Sequence, residues 1–165
     1  MTNINWTKVH EALNWIKENE DRWYQGAWAR FRTMEDSMQG NACGTHFCLA
    51  GATCKLAGRT AIMPVADLLN PNIILYYRIL PTDEDGDPCD DDMKWRQIAK
   101  ETLGLTEGQA EVIFSAVEPD GVDPQTWHDA QKYSDFVLAY LSGDIDYGRW
   151  DLPTAGDQDA AQAHV

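Results

Sequence analysis

The sequence has no apolar run that approaches the ~20 residues needed to span a membrane. Its first residues, MTNINWTKVHEALNW, contain no basic region followed by an apolar one, so we expect no signal peptide. Both absences predict a cytoplasmic protein, in which the four cysteines stay reduced. The 165 residues suffice for one domain with a hydrophobic core, and the seven tryptophans indicate a packed chain rather than a disordered one.

Basic residues are scarce in the second half of the chain. Residues 82–165 carry five Lys/Arg and twenty Asp/Glu, whereas residues 1–81 carry eight and seven, and the whole chain has a net charge of −14. Because binding to phosphates requires basic side chains, this charge excludes direct contact with nucleic acid or an anionic membrane. It favours basic surfaces, including those by which other proteins hold nucleic acid. Solubility alone is the alternative explanation of the acidity.

The hydrophobic periodicity predicts a mainly α-helical fold. We expect a single helical domain over residues 1–150, with an irregular acidic loop, followed by a disordered tail over residues 151–165. The first helix is predicted to follow Asn5 as its N-cap. Residues 33–44 are expected to be loop. Residues 73–80 suit either a strand or a buried helix, and we assign them to a helix because no partner strand is evident nearby.

Capping residues indicate the helix termini more clearly in the second half of the chain. Gly104 is predicted to end the helix MKWRQIAKETL. Thr106 and Gln109 then have the spacing of a capping box at the start of the next helix. The last helix is predicted to begin with Asp123 as N-cap and Pro124 at its first position, and to end at Gly143.

Three of the four cysteines fall within CGTHFCLAGATCKLAG, residues 43–58. Cys43, His46 and Cys48 are candidate zinc ligands, and Cys43 with His46 is a candidate catalytic pair. However, the chain has no C-x2-C pair, and nothing nearby supplies the orienting group and oxyanion site that a thiol enzyme requires. We therefore expect no metal or other cofactor. A small thiol- or zinc-dependent enzyme centred on these three residues is the alternative hypothesis.

The same stretch favours a closely packed helix, predicted to begin at Thr45 and to end at Ala57. Its small residues leave the helix surface nearly smooth. A glycine inside a helix costs ~1 kcal/mol relative to alanine, and this cost is explained if another element passes close over Gly51. Cys48 and Cys54 are then interpreted as small buried hydrophobic side chains.

The segments CGTHFCLAG and LGLTEGQAEVIF resemble an ordered pair of motifs, C-G-T-x-x-C-x-A-G and L-G-L-T-x-x-Q-A-x-x-L-F, in small proteins of actinobacteriophages and actinobacteria. The matching residues are Cys43, Gly44, Thr45, Cys48, Ala50, Gly51, Leu103 to Thr106, Gln109, Ala110 and Phe114. The resemblance covers about a third of the chain, and it does not include the acidic residues 82–92. It implies a source and an architecture, and it assigns no reaction.

Two stretches carry the candidate partner-binding residues. RWYQGAWARFR mixes aromatic and arginine side chains, as binding hot spots do and as core edges with extended arginines also do. TDEDGDPCDDD departs from the spacing of a calcium loop and is interpreted as a solvated acidic loop. The candidates are Trp23, Trp28, Arg30 and Arg32 in the first stretch and Asp83, Asp85, Asp90, Asp91 and Asp92 in the second.

These features together predict a small acidic accessory protein of phage type that binds and modulates a host protein. Two modes of binding remain open. In one, the acidic surface occupies a basic nucleic-acid-binding surface of the partner. In the other, the aromatic patch docks the partner. Neither nucleic acid nor a membrane is expected as a direct partner.

Overall fold

The computed structural model describes residues 3–115, 127 and 129–145. The predicted tail, residues 151–165, lies outside these residues. Helices and strands are mixed along the described chain. The helices are α1 (Trp6–Glu18), α2 (Met34–Gln39), α3 (Leu49–Leu56), α4 (Asp92–Leu103), α5 (Glu107–Ser115) and α6 (Ala130–Ser142). The strands are β1 (Ala29–Phe31), β2 (Thr45–Phe47), β3 (Thr60–Ala66) and β4 (Ile74–Pro81).

The strands form two separate antiparallel sheets of two strands each. β1 pairs with β2, with Ala29 opposite Phe47. β3 pairs with β4, with Ile62 opposite Ile79 and a bulge between Val65 and Ala66. The prediction of a mainly α-helical fold is therefore wrong, because the described residues form a mixed α and β structure.

The predicted helix over Thr45 to Ala57 begins too early. Its first three residues are strand β2, and the helix α3 starts only at Leu49. Cys48, rather than Thr45, is the N-cap, and its Sγ accepts a hydrogen bond from the Gly51 N–H at 3.4 Å. Thr45 instead lies buried in the strand, so cross-strand pairing with β1 overrides its preference for a helix terminus.

The assignment of residues 73–80 to a helix is also wrong. They form most of β4, and the partner strand lies immediately upstream, in β3. The sequence reading missed this strand because Pro64 lies within it. A proline lacks the N–H that a ladder needs, but it is tolerated at an edge strand where that N–H would point away from the partner.

Residues 33–44 are not a loop throughout. α2 lies within them, capped by Thr33, whose Oγ accepts a hydrogen bond from the Asp36 N–H at 3.0 Å. Gly40 ends the helix in the left-handed conformation, with φ of +63°.

The other predicted helix termini are largely confirmed. The Asn5 side chain caps α1, and Gly104 ends α4 with a φ of +69°. Thr106 and Gln109 form the predicted capping box, since each side chain accepts a hydrogen bond from the other residue's N–H, at 3.1 and 2.9 Å. Gly143 ends α6 as predicted.

The predicted start of the last helix is wrong. α6 begins at Ala130, and its N-cap is Asp129, whose carboxylate accepts a hydrogen bond from the Lys132 N–H at 2.9 Å. The predicted cap, Asp123, and Pro124 lie outside the described residues. The apolar side chains along α6 are buried, including Tyr133, Val137 and Leu141.

The hydrophobic core is built mainly by α1, α3, α4, α5 and α6. The predicted close packing over Gly51 is confirmed: a Cβ at this position would overlap the carbonyl oxygen of Trp28. Cys48 and Cys54 are buried as predicted. None of the helices in the described part of the chain is both long and apolar enough to cross a bilayer.

Candidate binding cleft

An open cleft of about 670 Å³ lies between β1 and β4. This volume falls within the range of roughly 300–1,000 Å³ that is typical of ligand pockets. Trp95 of α4 and Phe114 of α5 contribute buried surface to its floor. The aromatic residues that line it are Trp28, Phe31, Tyr76, Tyr77, Trp95 and Phe114. The cleft therefore offers an aromatic surface to a ligand or to a segment of another protein.

A buried glutamine fixes the chain segment that leads into β1. Gln25 is only 7% exposed. Its Oε1 accepts hydrogen bonds from the Leu49 N–H at 3.1 Å and from the Trp23 Nε1–H at 3.3 Å. Its Nε2 donates to the carbonyl oxygen of Phe114 at 3.3 Å. One side chain thus ties the wall of the cleft to the start of α3 and to α5.

The three candidate residues of the alternative metal or thiol site, Cys43, His46 and Cys48, have different surroundings. Cys43 is exposed, whereas Cys48 is buried. The Nε2 of His46 lies 3.0 Å from the carbonyl oxygen of Asp21, and burial lowers the pKa of the imidazole. In the part of the chain that the structure describes, no group of three His, Cys, Asp or Glu side chains is placed to hold a metal ion.

The two core cysteines are inert thiols. Burial raises the pKa of Cys48 to about 11 and that of Cys54 to about 12. The Cys54 Sγ–H donates a hydrogen bond to the carbonyl oxygen of Trp95 at 3.4 Å, which ties α3 to α4. Because the thiolate is the nucleophile and the metal ligand, neither residue is activated for chemistry.

A thiol reagent such as DTNB is expected to modify the exposed Cys43 rapidly in the native protein, and Cys48 and Cys54 only after unfolding. The reason is the burial and raised pKa of the two core thiols. The measurement is the time course of labelling with and without denaturant. Cys89, which is partly exposed, should also react in the native protein. Cys43→Ser should remove the fast labelling that belongs to Cys43. If Cys48→Ser removed it instead, Cys48 would be a reactive thiol and the enzyme hypothesis would return.

The aromatic and arginine candidates are divided between the core and the surface. Trp23 is buried, with its ring 5.4 Å from that of Tyr133. Trp28 lines the cleft and makes an edge contact with Phe114, with the ring centres 6.5 Å apart. The structure therefore does not bring the two tryptophans together on one surface, since Trp23 is buried and Trp28 lines the cleft.

The two arginine candidates have different surroundings. Arg30 lines the cleft, and its guanidinium lies 3.8 Å from the centre of the Tyr24 ring, a cation–π contact. Arg32 instead lies 3.6 Å from the carboxylate of Asp21. Of the predicted patch, only Trp28 and Arg30 belong to the cleft.

The acidic stretch is mostly exposed and, apart from an isolated bridge, contains no helix or strand before α4, as expected of a solvated acidic loop, and local hydrogen bonds hold it as a turn. The Asp83 carboxylate accepts hydrogen bonds from the N–H groups of Asp85 and Asp87, at 3.0 and 2.8 Å. Thr82 and Pro88 also form a bridge across the turn. Short local bonds of this kind are typical of aspartate in turns.

The three remaining acidic candidates have separate roles. Asp90 pairs with Arg78 through two hydrogen bonds, at 2.7 and 3.0 Å, and these hold the pKa of the Asp90 carboxyl below its usual value. Asp91 is the N-cap of α4. Asp92 lines the cleft. Most of the acidic candidates therefore stabilise local structure, and Asp92 alone among them lines the cleft.

Sequence reasoning missed an exposed apolar surface on the β3–β4 hairpin. Leu68 and Leu69, at the tip, are 98% and 96% exposed. The Asp67 carboxylate accepts hydrogen bonds from the Leu69 and Asn70 N–H groups, at 2.7 and 3.0 Å, so the tip is a defined turn. Ile73, just before β4, and Ile74, Leu75 and Tyr76 within it are exposed as well. A run of apolar residues normally predicts burial, so the sequence carried no signal that these side chains are exposed.

No protein-family model, curated protein or solved structure matches the chain.

Proposed function

We propose that this chain is a non-enzymatic accessory protein that binds and modulates a host protein, in the cytoplasm of the host cell. The observation that carries the proposal is an exposed apolar surface, the β3–β4 hairpin, which is continuous with an aromatic cleft. Tyr76 belongs to both, since it is 40% exposed on the hairpin and also lines the cleft. Contiguous exposed apolar surface of this kind marks interaction sites.

The composition of the cleft supports a protein as the partner. Trp, Tyr and Arg are enriched among residues that dominate binding energy, and the cleft holds Trp28, Tyr76 and Arg30. The cleft gives an anchor side chain a concave site, and the hairpin extends the contact beyond it. The resemblance to actinobacteriophage proteins supports a host protein as the partner class.

The acidic half of the chain has a second role in this proposal. The carboxylates of this half that the structure describes lie largely on the surface, and at physiological salt exposed charges act over about 8 Å. They therefore repel nucleic acid and accelerate encounter with a basic partner, while apolar contacts supply the affinity. Raising the salt concentration is expected to slow association more than it speeds dissociation.

Replacing both Leu68 and Leu69 with serine is expected to abolish capture of the partner from an actinobacterial lysate. Both side chains are almost fully exposed, so stability should change by no more than about 0.5 kcal/mol. The measurements are quantitative mass spectrometry of the captured protein and a thermal melt.

The matched control replaces two exposed apolar residues outside the hairpin, Met34 and Leu56, with serine. This variant should capture the partner as the native protein does. An equal loss of captured protein in both variants would show that nonspecific hydrophobic contact, rather than the hairpin, retains it.

A further inference from the structure

The tip of the β3–β4 hairpin, residues 67–70, is a convex apolar turn with a fixed shape. Its two leucines, Leu68 and Leu69, are almost fully exposed. Beneath them, the Asp67 N–H donates to the Ile73 carbonyl at 2.8 Å, and the Ile73 N–H donates to the Asn70 carbonyl at 2.9 Å. These bonds close the turn, so inserting the tip into a concave site would cost little ordering of the chain.

The outer half of the hairpin is not covered by the rest of the protein. Of the described helices and strands, only β4 packs extensively against β3. At the start of β4, Ile74 and Leu75 are each about half exposed. Because a two-stranded hairpin on its own is marginally stable in water, covering this half with apolar surface would stabilise it.

The same chain also contains a concave site that suits the tip. Trp28, Phe31 and Tyr77 give the cleft an aromatic lining. The cleft and the tip lie at the two ends of β4, since Arg78 in the cleft wall is four residues, or about 13 Å, from Ile74. One chain therefore carries both halves of an apolar contact, a convex tip and a concave aromatic cleft.

The charges of the tip and the cleft are complementary. Residues 60–81 contain a single acidic residue, Asp67, which lies directly before the two leucines. Of the two arginines that line the cleft, Arg78 is held by Asp90, whereas Arg30 makes no ion pair with any residue that the structure describes. A tip inserted into a cleft would bring the Asp67 carboxylate beside the Arg30 guanidinium.

We propose that two copies of this chain form a dimer in which the tip of each hairpin inserts into the cleft of the other. A two-fold axis makes the contact reciprocal, so both tips and both clefts are filled and no third copy can add. The midpoint between the tip and the cleft wall falls at the start of β4. The axis therefore passes near Ile74 and Leu75, whose exposed side chains pack against their counterparts.

The hairpin is also the surface on which two such acidic chains can approach each other. A net charge of −14 on each copy opposes association. Residues 60–81, however, carry one acidic and one basic residue and are neutral as a whole. Exposed charges more than about 8 Å from the contact are largely screened at physiological salt, so the acidic half of the chain opposes this dimer only weakly.

The dimer has a consequence for binding of the host protein. It covers the hairpin and the cleft, which are the surfaces assigned above to that partner. Self-association and partner binding therefore exclude each other, and the monomer is the form that binds. This consequence rests on the proposed function, whereas the dimer itself does not.

The first test is sedimentation velocity of the purified protein across micromolar concentrations. We expect a reversible monomer–dimer equilibrium with a dissociation constant of roughly 1–100 μM. Replacing both Leu68 and Leu69 with serine should weaken the dimer by more than about a hundredfold, because four leucine side chains per dimer lose their apolar contacts. The control variant, with serine at Met34 and Leu56, should dimerise as the native protein does.

The second test asks whether Asp67 of one copy meets Arg30 of the other. Asp67→Asn keeps a side-chain oxygen that can close the turn but removes the charge, and Arg30→Gln removes the opposite charge. Each variant alone should dimerise roughly threefold to tenfold more weakly than the native protein, through loss of two ion pairs. A mixture of the two, with one fluorescently labelled, restores one pair. It should associate about twofold to threefold more tightly than chance mixing predicts.

Three results would overturn the dimer. They are a protein that stays monomeric at these concentrations, a dimer that persists without Leu68 and Leu69, and oligomers that grow without limit. A mixture that associates no more tightly than chance predicts would contradict insertion of the tip beside Arg30. Each of these results leaves the proposed function intact if lysate capture still depends on the two leucines. A normal dimer without that dependence would overturn the proposed function alone.

Discussion

Gly51→Ala is expected to lower the free energy of unfolding by roughly 2 kcal/mol, although alanine is normally the better helix residue by about 1 kcal/mol. The reason is steric. The carbonyl group of Trp28 crosses α3 at this point, and a Cβ at residue 51 would overlap its oxygen. Backbone cannot move aside as the end of a flexible side chain can, so β1 must shift. Gly51→Leu, which adds three more carbon atoms, should cost more.

The chain provides a matched control at Gly108, in α5. A Cβ built there meets no atom within 4 Å. Gly108→Ala should therefore raise stability by up to about 1 kcal/mol, through helix propensity alone. The measurement is denaturant unfolding followed by circular dichroism, with the slope compared between variants. Equal changes at the two glycines would show that the Trp28 carbonyl does not pack against α3.

Local signals in the sequence located helix termini well. Asn5, Thr106 and Gly104 each act within one turn of the chain, through a side chain that bonds a nearby N–H or a glycine that adopts positive φ. Such effects need no knowledge of the rest of the fold. This is why the start of α1, the end of α4 and the start of α5 could be predicted from a single sequence.

The strands could not be predicted in this way, because pairing depends on distant residues. Thr45 is a good N-cap residue, yet its segment pairs with β1, in which Phe31, the partner of Thr45, lies fourteen residues upstream. Pro64 suggested a break in the chain, and only the ladder with Tyr77 shows that it lies harmlessly at an outer edge. Tertiary contacts therefore determined the secondary structure of both segments.

Distant contacts also explain why the candidate partner-binding residues of one short stretch have different surroundings. Trp23 and Trp28 lie five residues apart in a uniformly aromatic and basic stretch, but one packs on Tyr133 in the core and the other lines the cleft. Composition is the same for both, so it could not separate them. Gln25, between them, carried no signal at all, although its contacts are central to the site.

Gln25→Leu is expected to destabilise the protein by about 3–5 kcal/mol, the largest loss among the substitutions considered. Leucine has a similar size, so packing changes little. Three buried groups lose their partner, however: the Leu49 N–H, the Trp23 Nε1–H and the Phe114 carbonyl. Each buried polar group left unsatisfied costs about 1–3 kcal/mol, and partial relaxation reduces the sum. For a chain of this size the melting temperature should fall by roughly 2–4 °C per kcal/mol.

The control is Gln97→Leu on α4, where the amide donates only to the exposed carboxylate of Glu101, at 3.1 Å. Its stability should change by no more than about 0.5 kcal/mol. Because Gln25 also fixes the chain that enters β1, Gln25→Leu should weaken capture of the partner from a lysate even at temperatures where the variant remains folded. A loss below about 1 kcal/mol, with partner capture unchanged, would show that Gln25 is not the link that holds the β1 wall to α3 and α5.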